Sequence, residues 1–551
     1  KFPEIANRVY INAQKWDCSD GIKRVNAKGE CVGIASPKPI FPVVRYKDIH
    51  TGKESIKMAW GPKLTECATV SRGILASGNK VVALADNGAP VTSNTARYLV
   101  DFISDVIEEN DNKIPMVFST STFGWNEYDG KCEFVPYSDK LQFTSGSGIE
   151  DDTLLKALTP KGNLGKWMDT VTKHRNSNPL VRIFLAASLT SCLVGRLHLS
   201  PFFVYIWGQS GAGKSVLLSL AASVWGSPNT EDGYIKTANS TLNALAEHLS
   251  TLNHFPGCID ECQTRKDTRI GDGADDFIMQ LAQGIGRSRL NSDGSQRKTG
   301  VWRSVSFLNG ENSIISNETG EGTRNRVIDI HCPNVILDSS DCASIMRCIS
   351  NNYGVVGQAF VSTIASQDMQ QLAEVIGVYA DQLQAEHGVT GKHATIAASL
   401  LCADDLACAT FPEWDKCRLT ADDLLPYLMT TGDLNKANEA YTQARAIIAE
   451  NINNFVDVYG TLPTGRMWGA FNRCECNEPE IVTDVYVITS VLRRELKKAG
   501  YVLGTFVDTW MDRGYIEAFT EDGKRTYQKM KHLAHNQKFR CVHFRNYDTE
   551  H

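Results

Sequence analysis

Residues 202–226 read FFVYIWGQSGAGKSVLLSLAASVWG, and this stretch decides the fold. FFVYIW is an apolar β-run, and VLLSLAASVWG is an Ala/Leu-rich helix ending near Gly226. Between them, GQSGAGKS matches G-x-x-x-x-G-K-[ST] at Gly208, Gly213, Lys214 and Ser215. Glycines let backbone N–H groups wrap an anion, and the following helix points its positive end at the same place. The expected cofactors are ATP and Mg2+. Gly208, Gln209, Ser210, Gly211, Ala212, Gly213, Lys214, Ser215 and Val216 form the expected nucleotide contact. Lys214 would reach the β/γ-phosphates and Ser215 would ligate the metal. Strand, loop and helix in this order predict an α/β fold built on a parallel sheet.

A phosphate-binding loop needs acidic company. FPGCIDEC (Phe255–Cys262) supplies Asp260 as a second metal ligand and Glu261 to polarise the attacking water. The 46 residues from Lys214 to Asp260 fit one helix, one strand and their connections. An exposed acidic pair in a loop is the plainer alternative. VSFLNGENSI (Val305–Ile314) is an apolar run with a polar tip, which makes Asn309 the expected water-orienting residue, with Asn312 second. Arg326, just before the apolar run VIDI, is the expected arginine finger toward a neighbouring subunit, with Arg324 as the other choice. A surface salt bridge would equally account for an Arg there.

Between these parts lies GIGRSRLNSDGSQRKTGVWR (Gly284–Arg303), with five cations and one acid. Asp293-Gly294 is a hairpin-turn signal. Arg289, Arg297 and Lys298 on its arms are the expected DNA contacts, against a merely solvated basic hairpin. Nearer the C-terminus, Val485–Ala499 reads as a basic amphipathic helix and Tyr501–Arg513 follows it. A hairpin around Asp522-Gly523 then completes the order of a winged helix, offering Lys524, Arg525 and Lys529 to DNA. A protein-contact module fits that order as well.

The rest bounds the answer. A chain of 551 residues suggests three or four domains. The expected division is a strand-rich accessory domain over 1–150, the ATPase domain over 151–335 with a helical lead-in over 151–200, a helical region over 336–451, and a winged-helix-like domain over 452–551. VVRYKD, KVVALAD and KCEFVPY are read as N-terminal strands, Thr95–Glu109 as a helix, and Thr144–Asp152 as a linker. A net charge of -6 confines any nucleic-acid contact to local patches. Ile183–Gly195 has 13 apolar-rich residues, too short for a bilayer, so it reads as a buried helix. No stretch has the makeup of a secretory signal, so a cytoplasmic location without membrane contact and with reduced thiols is expected. Cys474 and Cys476 lack a second Cys/His pair for zinc.

LSPFFVYIWGQSGAGKSVLLSLAASVWGSP is similar to the phosphate-loop segment of a family of AAA+ helicase-like proteins. These are encoded on plasmids, prophages and cassette chromosomes, and resemble minichromosome-maintenance and superfamily-3 helicases. GIGRSRLNSDGSQRKTGVWRSVSFLNGE and GTRNRVIDI extend the match, which is specific over about Leu199–Cys332. FGWNEYDGKCEFVPY carries a looser match upstream. The resemblance implies a ring-forming AAA+ module, most simply a hexamer, with a pore hairpin, an N-terminal accessory domain and a C-terminal winged helix. It implies ATP-driven movement along DNA in a mobile element's replication, with single-stranded DNA in a central pore. A primase, polymerase or single-strand-binding protein is the implied partner. It places the first sensor on Asn309, where members often carry Ser, and the finger on Arg326. A DNA-bound ATPase switch or loader that does not unwind is the alternative.

Overall fold

The computed structural model describes residues 9–146, 148–261, 274–287, 289–290, 296–297, 299–314, 321–457, 463, 465–473, 482–521, 524–533, 537–545 and 547. Its centre is a parallel five-stranded sheet. The strands are β1 (Phe202–Gly208), β2 (Lys236–Thr237), β3 (Gly257–Asp260), β4 (Val305–Gly310) and β5 (Val327–Cys332), in the spatial order β2-β3-β4-β1-β5. β1 is apolar along its length because both its faces are covered. Phe202, Val204 and Ile206 enter one hydrophobic core, and Phe203 and Tyr205 enter another on the opposite face.

Two helices cover the first face. α1 (Pro179–Val194) begins on Asn178, whose side chain accepts from Leu180 N, with Pro at the first position. Nearly every side chain of α1 is buried, as expected of this apolar run. α2 (Lys214–Ser223) runs directly out of the loop that ends β1 and packs on α1. On the far face lies α3 (Leu242–Leu252), with Leu245, Leu249 and Leu252 buried. Helices from Ser339 to Thr410 continue the first core, and α4 (Gly391–Thr410) packs on α1. No described helix is long and apolar enough to cross a membrane.

Upstream, a five-stranded sheet is ordered Leu141–Phe143, Met116–Thr120, Ile40–Asp48, Glu54–Trp60, Glu66–Ser71. The helix Ala96–Glu109 packs on it through Leu99, Phe102, Ile103, Val106 and Ile107, a helical period. KVVALAD is not a strand. Residues 78–87 form helical turns that close on Gly88 at φ +83°. Val81 and Leu84, three apart, are the buried pair, so a period near three overrides the β-branched composition. The hairpin Gly124–Tyr128 with Lys131–Val135 sends Trp125, Phe134 and Val135 into the same core as α1 and α2.

The last segment has its own core around Trp510, Val542 and Phe544. The stretch 485–499 is helical only from Thr489. Val482–Ile488 is a strand paired with Lys538–Arg545, and α5 (Thr489–Lys498) starts after it. VYVI is alternately packed on both sheet faces, which a strand allows and a single helix face does not. α6 (Leu503–Asp512) and the antiparallel pair Phe519–Glu521 with Lys524–Thr526 follow. Cys474, Cys476 and the turns Asp293-Gly294 and Asp522-Gly523 lie outside the described residues.

Candidate functional site

The site forms where β1, β3 and β4 end. In an open parallel sheet, ligands sit beyond the carboxyl ends of the strands where the order reverses. That point is β1, flanked by β4 and β5 while the chain's next strand, β2, lies at the far edge. Parallel register aligns Ile206 with Asn309 and Ile259 with Leu308, so Asp260 and Asn309 stand side by side at the rim.

The loop 208–213 is built on positive φ. Gly208 has φ +146°, Gly211 +81° and Gly213 +95°. At Gly208 a Cβ would lie 2.1 Å from the Cys332 carbonyl oxygen, so β5 approaches too closely for any side chain. Gln209, Ser210 and Gly211 are exposed, while Ala212 is buried and its carbonyl accepts from Ile336 N at 2.9 Å. Lys214 is buried at the first position of α2, and its Nζ donates to Gly208 O at 2.8 Å and Gln209 O at 2.6 Å. The ammonium therefore lies folded over the loop. Val216, in the first turn of α2, lines with the loop a cavity of about 700 Å³.

Three polar side chains meet at the cavity. Ser215 Oγ is 3.4 Å from Asp260 Oδ1. Asn309, 3% exposed, donates through Nδ2 to Asp260 Oδ1 at 2.6 Å and to Ser215 Oγ at 3.1 Å. Its own Oδ1 accepts from Glu261 N at 2.8 Å. The Asn309 amide is thus held from both ends. Glu261 sits at φ +57°, a conformation non-glycine residues adopt at a cost, and its side chain lines the cavity.

A divalent oxygen-ligated cation fits this pair of groups. Adjacent ligands of an octahedral ion with ~2.1 Å bonds lie about 3 Å apart, close to the Ser215–Asp260 separation. Among the described residues no group of three His, Cys, Asp or Glu is arranged for a metal, so a cation here would need non-protein ligands as well. Glu311 and Cys342 also line the cavity. Neither was legible in the sequence. Glu311 follows the strand tip without a motif, and Cys342 arrives from a helix more than a hundred residues away.

The remaining expected residues lie elsewhere. Arg326 is at the opposite end of the sheet: its carbonyl accepts from Phe203 N, at the start of β1. Seven residues of strand separate that end from the loop, roughly 20 Å. Its guanidinium donates to Gly322 O at 2.6 Å and lines a second, smaller cavity with Lys392 and Ser399. Arg324 pairs with Asp508 at 3.3 Å. In the basic segment Arg289–Leu290 pairs antiparallel with Gln296–Arg297, and the register sets Arg289 opposite Arg297. Lys298 lies outside the described residues. Trp302, 1% exposed, anchors the base by donating from Nε1 to Leu281 O at 3.0 Å.

A family model described as "Domain of unknown function (DUF927)" matches residues 18–301, and one described as "Cch helix turn helix domain" matches 435–548. No curated protein matches the sequence. A solved structure titled "SCCmec type IV Cch - active helicase" is similar over 98% of this chain and 98% of that chain, with TM-score 0.60 and 17% identity. At that identity the likeness is one of fold, here over the full length. "The A form apo structure of NrS-1 C terminal region-CTR" covers 66% of this chain and 87% of that one, with TM-score 0.28 and 10% identity.

Proposed function

We propose that this chain, which belongs to the DUF927 family, is an ATP-dependent DNA helicase or translocase of a mobile genetic element, built on an AAA+ P-loop core and working as a ring. The observation that carries this is the meeting of Ser215, Asp260 and Asn309 within 3.4 Å of one another, beside Lys214 and its loop. Each group then has a role. The loop N–H groups and Lys214 hold the β/γ-phosphates of ATP. Ser215 and Asp260 would hold Mg2+, which when bound offsets phosphate charge. Glu261 takes up the proton of the attacking water from the cavity side, and Asn309 keeps Asp260 and Glu261 in register.

Arg326 favours an oligomer. It lies too far from its own chain's loop to reach that nucleotide, so as a finger it would serve a neighbour's site. A closed ring gives every site one such neighbour, and a hexamer is the expected size. The hairpin favours a polyanion in the pore. The register places one Arg position opposite another, and such a basic segment suits a phosphate backbone. The segments 1–150, 336–451 and 452–551 would then serve as accessory, helical and winged-helix-like domains around the core at 151–335. The fold shared with a chain titled "SCCmec type IV Cch - active helicase" supports the same activity and setting. A primase, polymerase or single-strand-binding partner fits that role.

Forked DNA incubated with the protein and ATP tests the proposal. Strand separation by the wild type and none by Lys214→Ala is the expected result. DNA-dependent ATP hydrolysis without strand separation would favour a loader or switch. Absence of both would overturn the proposal.

A further inference from the structure

The module over 482–545 is basic within an acidic chain: twelve Lys and Arg stand against seven Asp and Glu, while the whole chain is -6. Helices α5 and α6, joined by residues 499–502, have the helix-turn-helix arrangement, in which the second helix ordinarily enters the major groove. Here the second helix is committed to the protein. α6 reads LGTFVDTWMD and contains no cation. Its Asp508 is buried and accepts from Arg324 of the ATPase core at 3.3 Å. Its Trp510 is buried and donates from Nε1 to Ala437 O at 2.8 Å. Its exposed Asp512 pairs with Arg525 at 2.6 Å.

The cations face elsewhere. On α5, Arg493 and Lys497 are exposed. Arg493 Nη2 donates to Tyr527 OH at 3.3 Å, which links α5 to the chain entering the strand Lys529–His532. That strand is the edge of its sheet. Lys529 lies over the Phe519 ring at 4.8 Å and Lys531 over the Tyr486 ring at 3.8 Å. Tyr486 stacks on His543 at 4.2 Å, so the ring under Lys531 is itself fixed. Lysines over ring faces keep their N–H donors available to an oxygen ligand.

We propose that this module binds the phosphate backbone of duplex DNA through Arg493, Lys497, Lys529 and Lys531, on α5 and the edge strand, with α6 withheld from the groove. Binding of this kind is electrostatic, salt-dependent and indifferent to sequence, because phosphate contacts position a protein without reading bases. The surface lies outside the nucleotide site, so the proposal stands independently of ATP chemistry.

Equilibrium binding of the full chain to a random-sequence duplex, without nucleotide, tests it. The background carries Arg289→Ala, Arg297→Ala and Lys298→Ala, which removes the DNA contacts expected of the basic hairpin. Adding R493A, K497A, K529A and K531A together should weaken binding at least about tenfold at 0.1 M salt. It should also make the slope of log K against log salt shallower by about 3.6, roughly 0.9 for each phosphate no longer neutralised. Thr505→Ala with Thr509→Ala on α6 should leave affinity unchanged. Thermal melting of each variant confirms that it folds. Unchanged affinity in the fourfold variant, or a loss in the α6 variant comparable to it, would overturn the proposal.

Discussion

Asn309 Nδ2 lies 2.6 Å from Asp260 Oδ1 while Asn309 Oδ1 receives the Glu261 N–H at 2.8 Å. One amide therefore sets both members of the acidic pair. If Asn309 positions them for hydrolysis, Asn309→Ala should lower kcat about 10²-fold, the range seen when a preorganised donor is lost. Nucleotide affinity should stay nearly unchanged, because Lys214 and the loop are intact. Fluorescent-nucleotide titration and steady-state hydrolysis separate the two effects. Parallel loss of both would mean that Asn309 merely shapes the loop.

Lys214 folds over its own loop through Gly208 O and Gln209 O. Lys214→Ala should abolish detectable hydrolysis and weaken ATP binding at least about tenfold, since the phosphates lose their point charge. A variant that binds and hydrolyses normally would remove the loop from the mechanism.

Arg326 stands at the far end of β1 from the loop. A trans role makes a specific forecast. Arg326→Ala alone and Lys214→Ala alone should each be inactive, and mixing them should restore part of the activity, because a mixed ring contains sites with an intact loop and an intact finger. Mixtures no more active than their components would contradict it.

His254 joins the upstream hairpin to the core: Trp125 N donates to its Nδ1 at 3.2 Å, which requires an unprotonated nitrogen there. Burial, helped by Arg303 and Arg196, lowers its pKa to about 4. An unfolded histidine titrates near 6.5. The unfolded chain thus binds the proton first, so this stabilisation is complete above about pH 6.5 and declines as pH falls toward 4. His248, also lowered to about 4, adds to the same window. Denaturant midpoints at pH 7 and 4.5 should fall less in His254→Asn than in the wild type. An equal fall in both would remove His254 from the acid response.

Arg175 and Asp404 form a fully buried ion pair, with the guanidinium 4.2 Å from the Trp414 ring centroid and Asp404 Oδ2 accepting from Leu419 N at 2.7 Å. Arg175→Ala leaves a buried carboxylate without its cation and should cost about 3–5 kcal/mol of stability. Urea unfolding checks this; a loss under about 1 kcal/mol would mean that water reaches Asp404 readily.

The loop was legible because its geometry is local. Positive φ at Gly211 and Gly213 and a helix starting on Lys214 follow from eight adjacent residues. Asp260 and Asn309 were legible as polar ends of apolar runs, since a strand end is also where a parallel sheet presents its residues. The Asn309 bonds to Ser215 and Asp260 were not legible, because they depend on the β3-β4-β1 order rather than on spacing. Arg326 looked close to Asn309 in sequence. Both β4 and β5 run parallel to β1, so the chain must cross back between them, and the end of one strand lies across the sheet from the start of the next. The strand expected over 80–86 rested on a β-branched run, and the helix expected from Val485 on the amphipathic, basic pattern of the whole stretch; in both the conformation is decided by what the residues pack against.

Steady-state ATP hydrolysis by the purified full chain with Mg2+, measured with and without single-stranded DNA, decides whether the loop at 208–215 drives a DNA-coupled ATPase. Hydrolysis should rise severalfold with DNA and disappear in Lys214→Ala. Hydrolysis indifferent to DNA, or unchanged in Lys214→Ala, would contradict that role.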